Sequence, residues 1–355
     1  MTSSADRTPT GTRSPRRSRL AVAAVLTAAA LVLTGCSATT GNATNDAEKA
    51  SGPFPVSLKN TYSTTVIPSQ PKRVATISWT NQDAAIALGD IPVSMSKATY
   101  GDDNGDGVLP WTAEALKKAG AKTPQLNDES DGIPYEKIAD SQPDVILGAY
   151  SGLTKQEYTT LSKIAPTVSY PKDAWGTPWR QTTLVDGEAL GKKAQAQKLI
   201  DQTDAKIDSA VSKYPQLKGK TVMYIWVDPK NLGTITYYTP NDARVRFLND
   251  LGLKNAPSIE KQSKGSSQFF GTISSEEADT LDAGIAVIYV DDGASFDLIK
   301  NDPLLSKIPA VQRGSVVELS NTTDIMATSA PSVLSIPWVL PKFVPELAKA
   351  ADKVR

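Results

Sequence analysis

Between Glu188 and Tyr214 the chain has no proline and a single internal glycine, Gly191, and this stretch limits the fold more than any other. Apolar or small residues at Leu190, Ala194, Leu199, Thr203, Ile207, Ala210, Val211 and Tyr214 recur at helical spacing. Lys192, Lys193, Lys198, Asp201, Asp204 and Lys213 fall on the other faces. The pattern predicts one amphipathic helix of roughly 27 residues, about 40 Å long at about 1.5 Å per residue. That is well above the usual mean of about 11–12 residues. Comparable lengths of chain lie on either side, so the segment reads as a helix linking two domains. A surface helix of one large domain is the alternative.

Both halves alternate strand-like and helix-like segments. Strand runs are expected at Val74–Ser78, Ile91–Ser96, Val145–Tyr150, Thr167–Tyr170, Thr221–Val227, Gly233–Tyr238, Ile285–Val290 and Ser315–Ser320. Several are rich in Val and Ile without alternation, as strands covered on both faces are. Helices are expected between them at Gln82–Leu88, Thr112–Ala119, Glu157–Ile164, Ala243–Leu251 and Glu276–Leu281, which argues for mainly parallel sheets. The halves also echo each other: Glu136 stands nine residues before Val145, and Glu276 nine residues before Ile285. Each begins a short helix, where the dipole alone favours an acidic side chain.

The chain has no histidine and one cysteine, Cys36. A Ser-His-Asp triad, a Cys-His pair, a His/Cys zinc site, a His-ligated haem and an internal disulfide are therefore excluded by inventory. Lys plus Arg equals Asp plus Glu, at 38 each, so no basic excess is available for nucleic acid. No phosphate-binding loop of the Walker type and no nucleophile elbow occurs. Neither an ATPase nor a lipoprotein hydrolase is expected.

The N-terminus reads as an export signal. Arg13, Arg16, Arg17 and Arg19 precede the apolar run Leu20–Leu33, which is too short to span about 30 Å of hydrocarbon but suits a signal-peptide core. Leu33-Thr34-Gly35-Cys36 follows and resembles the lipobox of bacterial lipoproteins, in which the cysteine is lipidated and becomes the first mature residue. Arg16-Arg17 leaves both general secretion and twin-arginine export open. Removing residues 1–35 takes away five Arg and one Asp and leaves 33 basic and 37 acidic residues. Residues 37–52 are small and polar, as a flexible tether between lipid and fold would be.

Three stretches carry a resemblance to a known family. Pro71-Lys72-Arg73-Val74-Ala75-Thr76 is similar to the opening strand of the Fe/B12-type periplasmic binding domain. Tyr135-Glu136-Lys137-Ile138 through Gln142-Pro143-Asp144-Val145-Ile146-Leu147 resembles its Glu-bearing helix and following strand. Gly271 through Ala283 resembles the second-lobe counterpart in iron-siderophore binding lipoproteins. The resemblance covers about residues 70–350 and implies an α/β, bilobal, class III-type periplasmic binding fold. Two mainly parallel sheet-helix lobes would be joined by one long rigid helix. The implied organisation is a signal peptide (1–35), a lipidated cysteine with linker (36–52), an N-terminal lobe (53–186), the connecting helix (187–215) and a C-terminal lobe (216–355).

The resemblance further implies a non-enzymatic, lipid-anchored monomer on the outer face of the cytoplasmic membrane. It would deliver a ferric-siderophore chelate to an ABC permease dimer with its ATPase. Cobalamin or haem-type binding, or a nontransport surface lipoprotein, is the alternative. Glu136 and Glu276, with Glu277 adjacent, would dock the two permease subunits. With no histidine, iron would arrive already chelated, so neither a cofactor nor direct metal ligands are expected. Arg244, Tyr238, Trp79, Tyr237, Trp111, Trp179 and Arg180 are the candidate ligand-binding residues, with Arg246 a rival to Arg244. Tyr100, Trp175, Trp226, Phe269, Phe270 and Trp338 are further aromatics near strand ends. Asp102-Asp103-Asn104-Gly105-Asp106-Gly107 imitates the start of a calcium loop. Its twelfth position is Ala113 where a Glu is needed, so a polar turn is expected.

Overall fold

Val145–Gly148 and Ile285–Val290, the apolar runs that follow the paired glutamates, are strands with every residue buried. Each lies near the middle of its own sheet, which is why neither shows the alternation of a half-exposed strand. The computed structural model describes residues 53–290 and 295–354, so the export signal, Cys36 and the linker lie outside the described residues.

The first lobe runs β1 (Val56–Lys59), β2 (Thr64–Ile67), β3 (Val74–Thr76), α1 (Asn81–Ala87), β4 (Ser94–Ser96), α2 (Pro110–Lys118), β5 (Gln125–Asn127) and α3 (Tyr135–Asp140). It continues through β6 (Val145–Gly148), α4 (Lys155–Leu161), β7 (Thr167–Ser169) and α5 (Trp179–Ala189), before α6 (Lys193–Val211). The second lobe runs β8 (Thr221–Val227), β9 (Thr234–Tyr238), α7 (Ala243–Asp250), β10 (Lys254–Asn255), α8 (Pro257–Gln262) and β11 (Phe270–Ser274). It ends with β12 (Ile285–Val290), α9 (Asp297–Asn301), α10 (Pro309–Arg313), β13 (Val316–Leu319), α11 (Thr322–Ser329) and α12 (Ser335–Ala351).

The first sheet is wholly parallel, in the order β5-β4-β3-β6-β7, with β1 and β2 as a separate antiparallel hairpin. The second has the order β11-β9-β8-β12-β13. Its β8, β12 and β13 are parallel, β9 and β11 run antiparallel, and β10 pairs in parallel with the start of β8. The architecture is thus the two-lobed α/β fold expected, with an antiparallel edge on the second lobe.

The connector departs from the single long helix. α5 ends at Ala189, and Gly191, at φ +70°, donates its N–H to the Glu188 carbonyl while Lys192 donates to that of Gly187. This is a Schellman stop, and it needs a residue at ease in the left-handed region. α6 then starts afresh and has 19 residues, about 28 Å. The two helices pack on each other so closely that a Cβ on Gly187 would lie 2.3 Å from the Ala196 Cβ. α6 also lies against α12, which covers β12 and β13 of the second lobe. α12 itself went unanticipated because Pro341 and Pro345 lie inside it. Ten of its side chains are nonetheless buried, and that apolar burial outweighs the lost backbone bonds. The expected helix at Glu276–Leu281 is a 3₁₀ turn, Ser275–Thr280.

The lobes meet over a buried carboxylate. Asp83, on α1, accepts from Trp111 Nε1 (2.9 Å), Thr112 Oγ1 (2.7 Å) and, across the junction, Ser332 Oγ (2.5 Å). The Trp111 ring packs on Trp338 of α12 at 5.4 Å. Nearby, Trp179 Nε1 donates to Asp250 Oδ2 (2.9 Å), and Arg180 spans Asp204 and Asp250 (Nη1 to Asp250, 2.8 Å). The mock calcium loop is a polar turn: Asp102 accepts from the Gly105 and Gly107 N–H groups, and Asp106 from Val108 N. Its Asp103 reaches Asn321 Nδ2 (3.3 Å) and Thr322 Oγ1 (3.2 Å) of the second lobe.

Burial raises the Asp83 carboxyl to about 6, against the lowering pull of its three donors. Because the folded state holds the proton more tightly than the unfolded chain, this residue adds stability as pH falls from about 7 towards 4. Asp83→Asn therefore removes an acid-side gain of roughly 2–3 kcal/mol. Melting curves at pH 7.5 and 5 should show a smaller acid stabilisation in the variant than in the parent; an equal one refutes the assignment.

Candidate functional site

In parallel α/β sheets a ligand sits beyond the carboxyl ends of the strands, where the strand order reverses. In the first lobe that point lies between β3 and β6. Asn81 clamps it: its Nδ2 donates to the Ile77 carbonyl (2.8 Å) and the Tyr150 carbonyl (3.0 Å), and its Oδ1 accepts from Tyr150 N (2.9 Å). Asn81 was not singled out from the sequence, since a lone Asn at a helix start reads as a cap.

Trp79 emerges beside this clamp, 44% exposed, between two residues in the left-handed region, Ser78 (φ 58°) and Thr80 (φ 68°). Such conformations cost about 1–3 kcal/mol each and persist where surrounding bonds enforce them. Here Ser78 N donates to both Glu129 carboxylate oxygens (3.3 and 3.0 Å), and Ser96 Oγ bonds the same group. Burial pushes the Glu129 carboxyl up. Trp175, also at positive φ (57°), packs on Trp79 at 5.6 Å and edge-on to Tyr150 at 5.5 Å. A Cβ on Gly152 would lie 2.3 Å from Trp175 Nε1, so glycine there is what lets the indole in.

The second lobe supplies the opposing wall. Tyr224, Trp226, Tyr238 and Tyr289 project from one face of β8, β9 and β12. Tyr238 and Tyr289 share a hydroxyl–hydroxyl bond of 2.6 Å, and Trp226 stacks on Tyr289 at 6.2 Å. Arg244 opens α7 with its guanidinium 4.0 Å over the Tyr238 ring, its Nε on Ser329 Oγ (3.0 Å) and its Nη1 on Asp242 Oδ2 (2.9 Å). Burial works against the Arg244 charge, but Asp242 and the tyrosines outweigh it, and the arginine stays protonated. Tyr150 of the first lobe shares one apolar cluster with Tyr224, Tyr238 and Tyr289. Burial lifts its hydroxyl, and Asp242 adds to the rise. Arg244 thus lies over the Tyr238 and Tyr224 faces of the second lobe, and Tyr150 of the first lobe belongs to the same apolar cluster.

Beside Trp79 a small pocket is lined by Gln82, Ser96, Tyr100, Leu109, Thr112 and, from the second lobe, Met326. Gln82 is buried, and its Oε1 has no hydrogen-bond partner among the described residues. A wider depression lined by Asp282, Arg313 and Asp352 lies at the amino ends of β8 and β12, away from the aromatic walls.

Of the residues expected from the sequence, Tyr238 and Arg244 are in contact, and Trp79 stands on the first-lobe wall, packed on Trp175. Tyr237 is turned to the other face of its strand, into a separate core with Ile235 and Ile273, as the two-residue strand period requires. Trp111 and Trp179 are buried with their N–H groups on carboxylates, and both carboxylate partners of Arg180 are already engaged. These four belong to core and junction. Arg246 spends its bonds on the Pro240 and Gly176 carbonyls. Glu136 and Glu276 are exposed at the starts of α3 and of the 275–280 turn. Tyr150, Tyr289 and Asp242 were missed; only the register of neighbouring strands and the N-cap geometry bring them to the arginine.

Gly152→Ala should expel Trp175 from its slot at a cost of about 1–3 kcal/mol. Near-ultraviolet circular dichroism should lose intensity as the Trp79–Trp175–Tyr150 contacts loosen. An unchanged spectrum would show that the indole is not held there.

The sequence model of the family described as Periplasmic binding protein matches residues 74–323. The solved structure of PiaA from Streptococcus pneumoniae TIGR4 in complex with ferrichrome superposes with a TM-score of 0.80 at 38% identity, covering 84% of this chain and 100% of that one. The probable siderophore-binding lipoprotein YfiY of Bacillus subtilis is 26% identical over 77% of this chain and 82% of its own length. The ferric enterobactin-binding periplasmic protein FepB of Escherichia coli is 28% identical over 76% and 85%.

Proposed function

The chain belongs to the periplasmic binding protein family, and on that premise we propose that it captures a ferric siderophore between its lobes and delivers it to an ABC importer. It is a binding protein and not an enzyme. The observation that carries the reading is a pair of aromatic walls, Trp79–Trp175–Tyr150 from the first lobe and Tyr238–Tyr289 with Arg244 from the second, with Tyr150 and the two tyrosines in one apolar cluster. A chelate presents a greasy rim and an oxygen-rich centre. Aromatic faces cover the first, and a guanidinium donates to the second. The relatives that bind ferric siderophores support the assignment. Calorimetric titration against a panel of ferric siderophores tests it; tight uptake of free ferric ion with no response to any chelate overturns it.

Delivery requires a membrane address and a docking face. Cys36, at the end of the lipobox-like Leu33-Thr34-Gly35-Cys36, is our candidate anchor to the outer face of the cytoplasmic membrane. Labelling with palmitate that survives Cys36→Ala would exclude it. Glu136 and Glu276, one exposed acid per lobe at matching distances before β6 and β12, are the candidate contacts for two permease subunits. As helix-end acids alone they would contribute only about 0.3–1 kcal/mol each. As docking posts they govern encounter with the importer. The double variant Glu136→Ala with Glu276→Ala should keep normal chelate affinity in purified form and lose most cellular uptake. Normal uptake sinks the docking role.

A further inference from the structure

The ferric-siderophore reading leaves open which chelates fit, and the charges around Arg244 bear on that choice. Arg244 does not offer a free positive charge. Its Nη1 lies 2.9 Å from Asp242 Oδ2, and the two side chains are 13% and 2% exposed. Asp242 is held from the other side too, because as the N-cap of α7 it accepts the Arg244 backbone N–H (2.8 Å). Burial raises the Asp242 carboxyl while Arg244 pulls against it, and the 2.9 Å contact joins the two as an ion pair. Seen from a ligand several ångströms away, such a pair is a dipole, whose pull on a net charge fades faster than that of a lone cation.

Among the described residues, two further cations of this region are engaged as well. Arg246 is turned onto the Pro240 and Gly176 carbonyls, and Lys97 lies 3.6 Å from Asp128. On the first-lobe side, the Glu129 carboxylate sits directly behind Ser78 and Trp79. Gln82 lines the adjoining pocket, and its buried Oε1, without a partner among the described residues, is an acceptor; it suits an amide N–H or a hydroxyl and repels anionic oxygen. A tris-catecholate, with three surplus negative charges, would lose its hydration there without gaining a counter-charge.

We propose that Asp242 sets the charge of the accepted ligand: by cancelling Arg244 it makes the cleft select ferric chelates of zero net charge, the tris-hydroxamate class, over tris-catecholates and hydroxycarboxylates. Arg244 then acts as an oriented hydrogen-bond donor to a neutral complex.

The test compares one neutral ferric tris-hydroxamate with one ferric tris-catecholate by calorimetry on the purified chain. The parent should bind the hydroxamate at least about tenfold more tightly, with little change between about 20 and 500 mM NaCl. Asp242→Asn keeps an N-cap side chain but uncovers the arginine, so the catecholate-to-hydroxamate affinity ratio should rise about tenfold or more. A parent that prefers the catecholate, or a folded variant with an unmoved ratio, overturns the charge assignment. If the variant does not fold, the parent's preference and its salt response decide. Failure of the parent to bind any ferric chelate overturns the ferric-siderophore reading itself, a separate outcome.

Discussion

The Asp83 carboxylate is where the molecule is held together as one body. It lies with no solvent contact, and an unpaired charge there would be prohibitively costly. Its three donors serve two requirements. Trp111 and Thr112 fix α2 to α1, while Ser332 brings in the turn that leads into α12. Removing any one leaves a buried acceptor short of a bond, a loss of about 1–3 kcal/mol or more for a charged group. Because α12 also covers β12 and β13 and lies along α6, one carboxylate ties the first lobe to the main helical layer of the second. Asp186, on α5, is buried with no hydrogen-bond partner among the described residues, and burial alone drives its carboxyl well above the usual range.

The binding walls show the opposite economy, since rigidity is gained there at local cost. Ser78, Thr80 and Trp175 hold backbone conformations that non-glycine residues avoid, and all three flank or form the aromatic contact. Glu129 holds the Ser78 N–H, Asn81 clamps the turn around Trp79 and Thr80, and the Ser151 carbonyl holds the Trp175 N–H. A flexible loop could present the same side chains without strain, but each ligand would then have to meet the entropy of ordering them.

Much of the fold was legible in the residues. The unalternating Val/Ile runs became buried central strands, and the twin glutamates marked the equivalent strands of the two lobes. Helix ends were less so. Gly191 looked like a tolerated interruption and turned out to terminate α5, because its effect depends on a capping geometry visible only once the chain folds back. Pro341 and Pro345 concealed α12, whose stability comes from tertiary burial that no local propensity reports. At the site, arginine and tryptophan advertise their chemistry in any sequence, so Arg244 and Trp79 stood out. Tyr237 and Tyr238 are chemically identical neighbours, and only the strand register decides which of them faces the cleft. Asp242 was invisible for the reverse reason: an Asp before a helix is fully explained as a cap, and its second role appears only when Arg244 folds back upon it.

The break at Gly191 also has a mechanical meaning. A free helix of roughly 40 Å would behave as a bendable strut. Instead α6 is shorter and braced along its length by α5 on one flank and α12 on the other. Bracing of this kind stiffens the helix against bending. A receptor held stiff in this way would meet its ligand nearly in final shape, so the speed of capture would be set by diffusion and orientation rather than by closure. Differences in affinity between ligands then fall on the rate at which they leave.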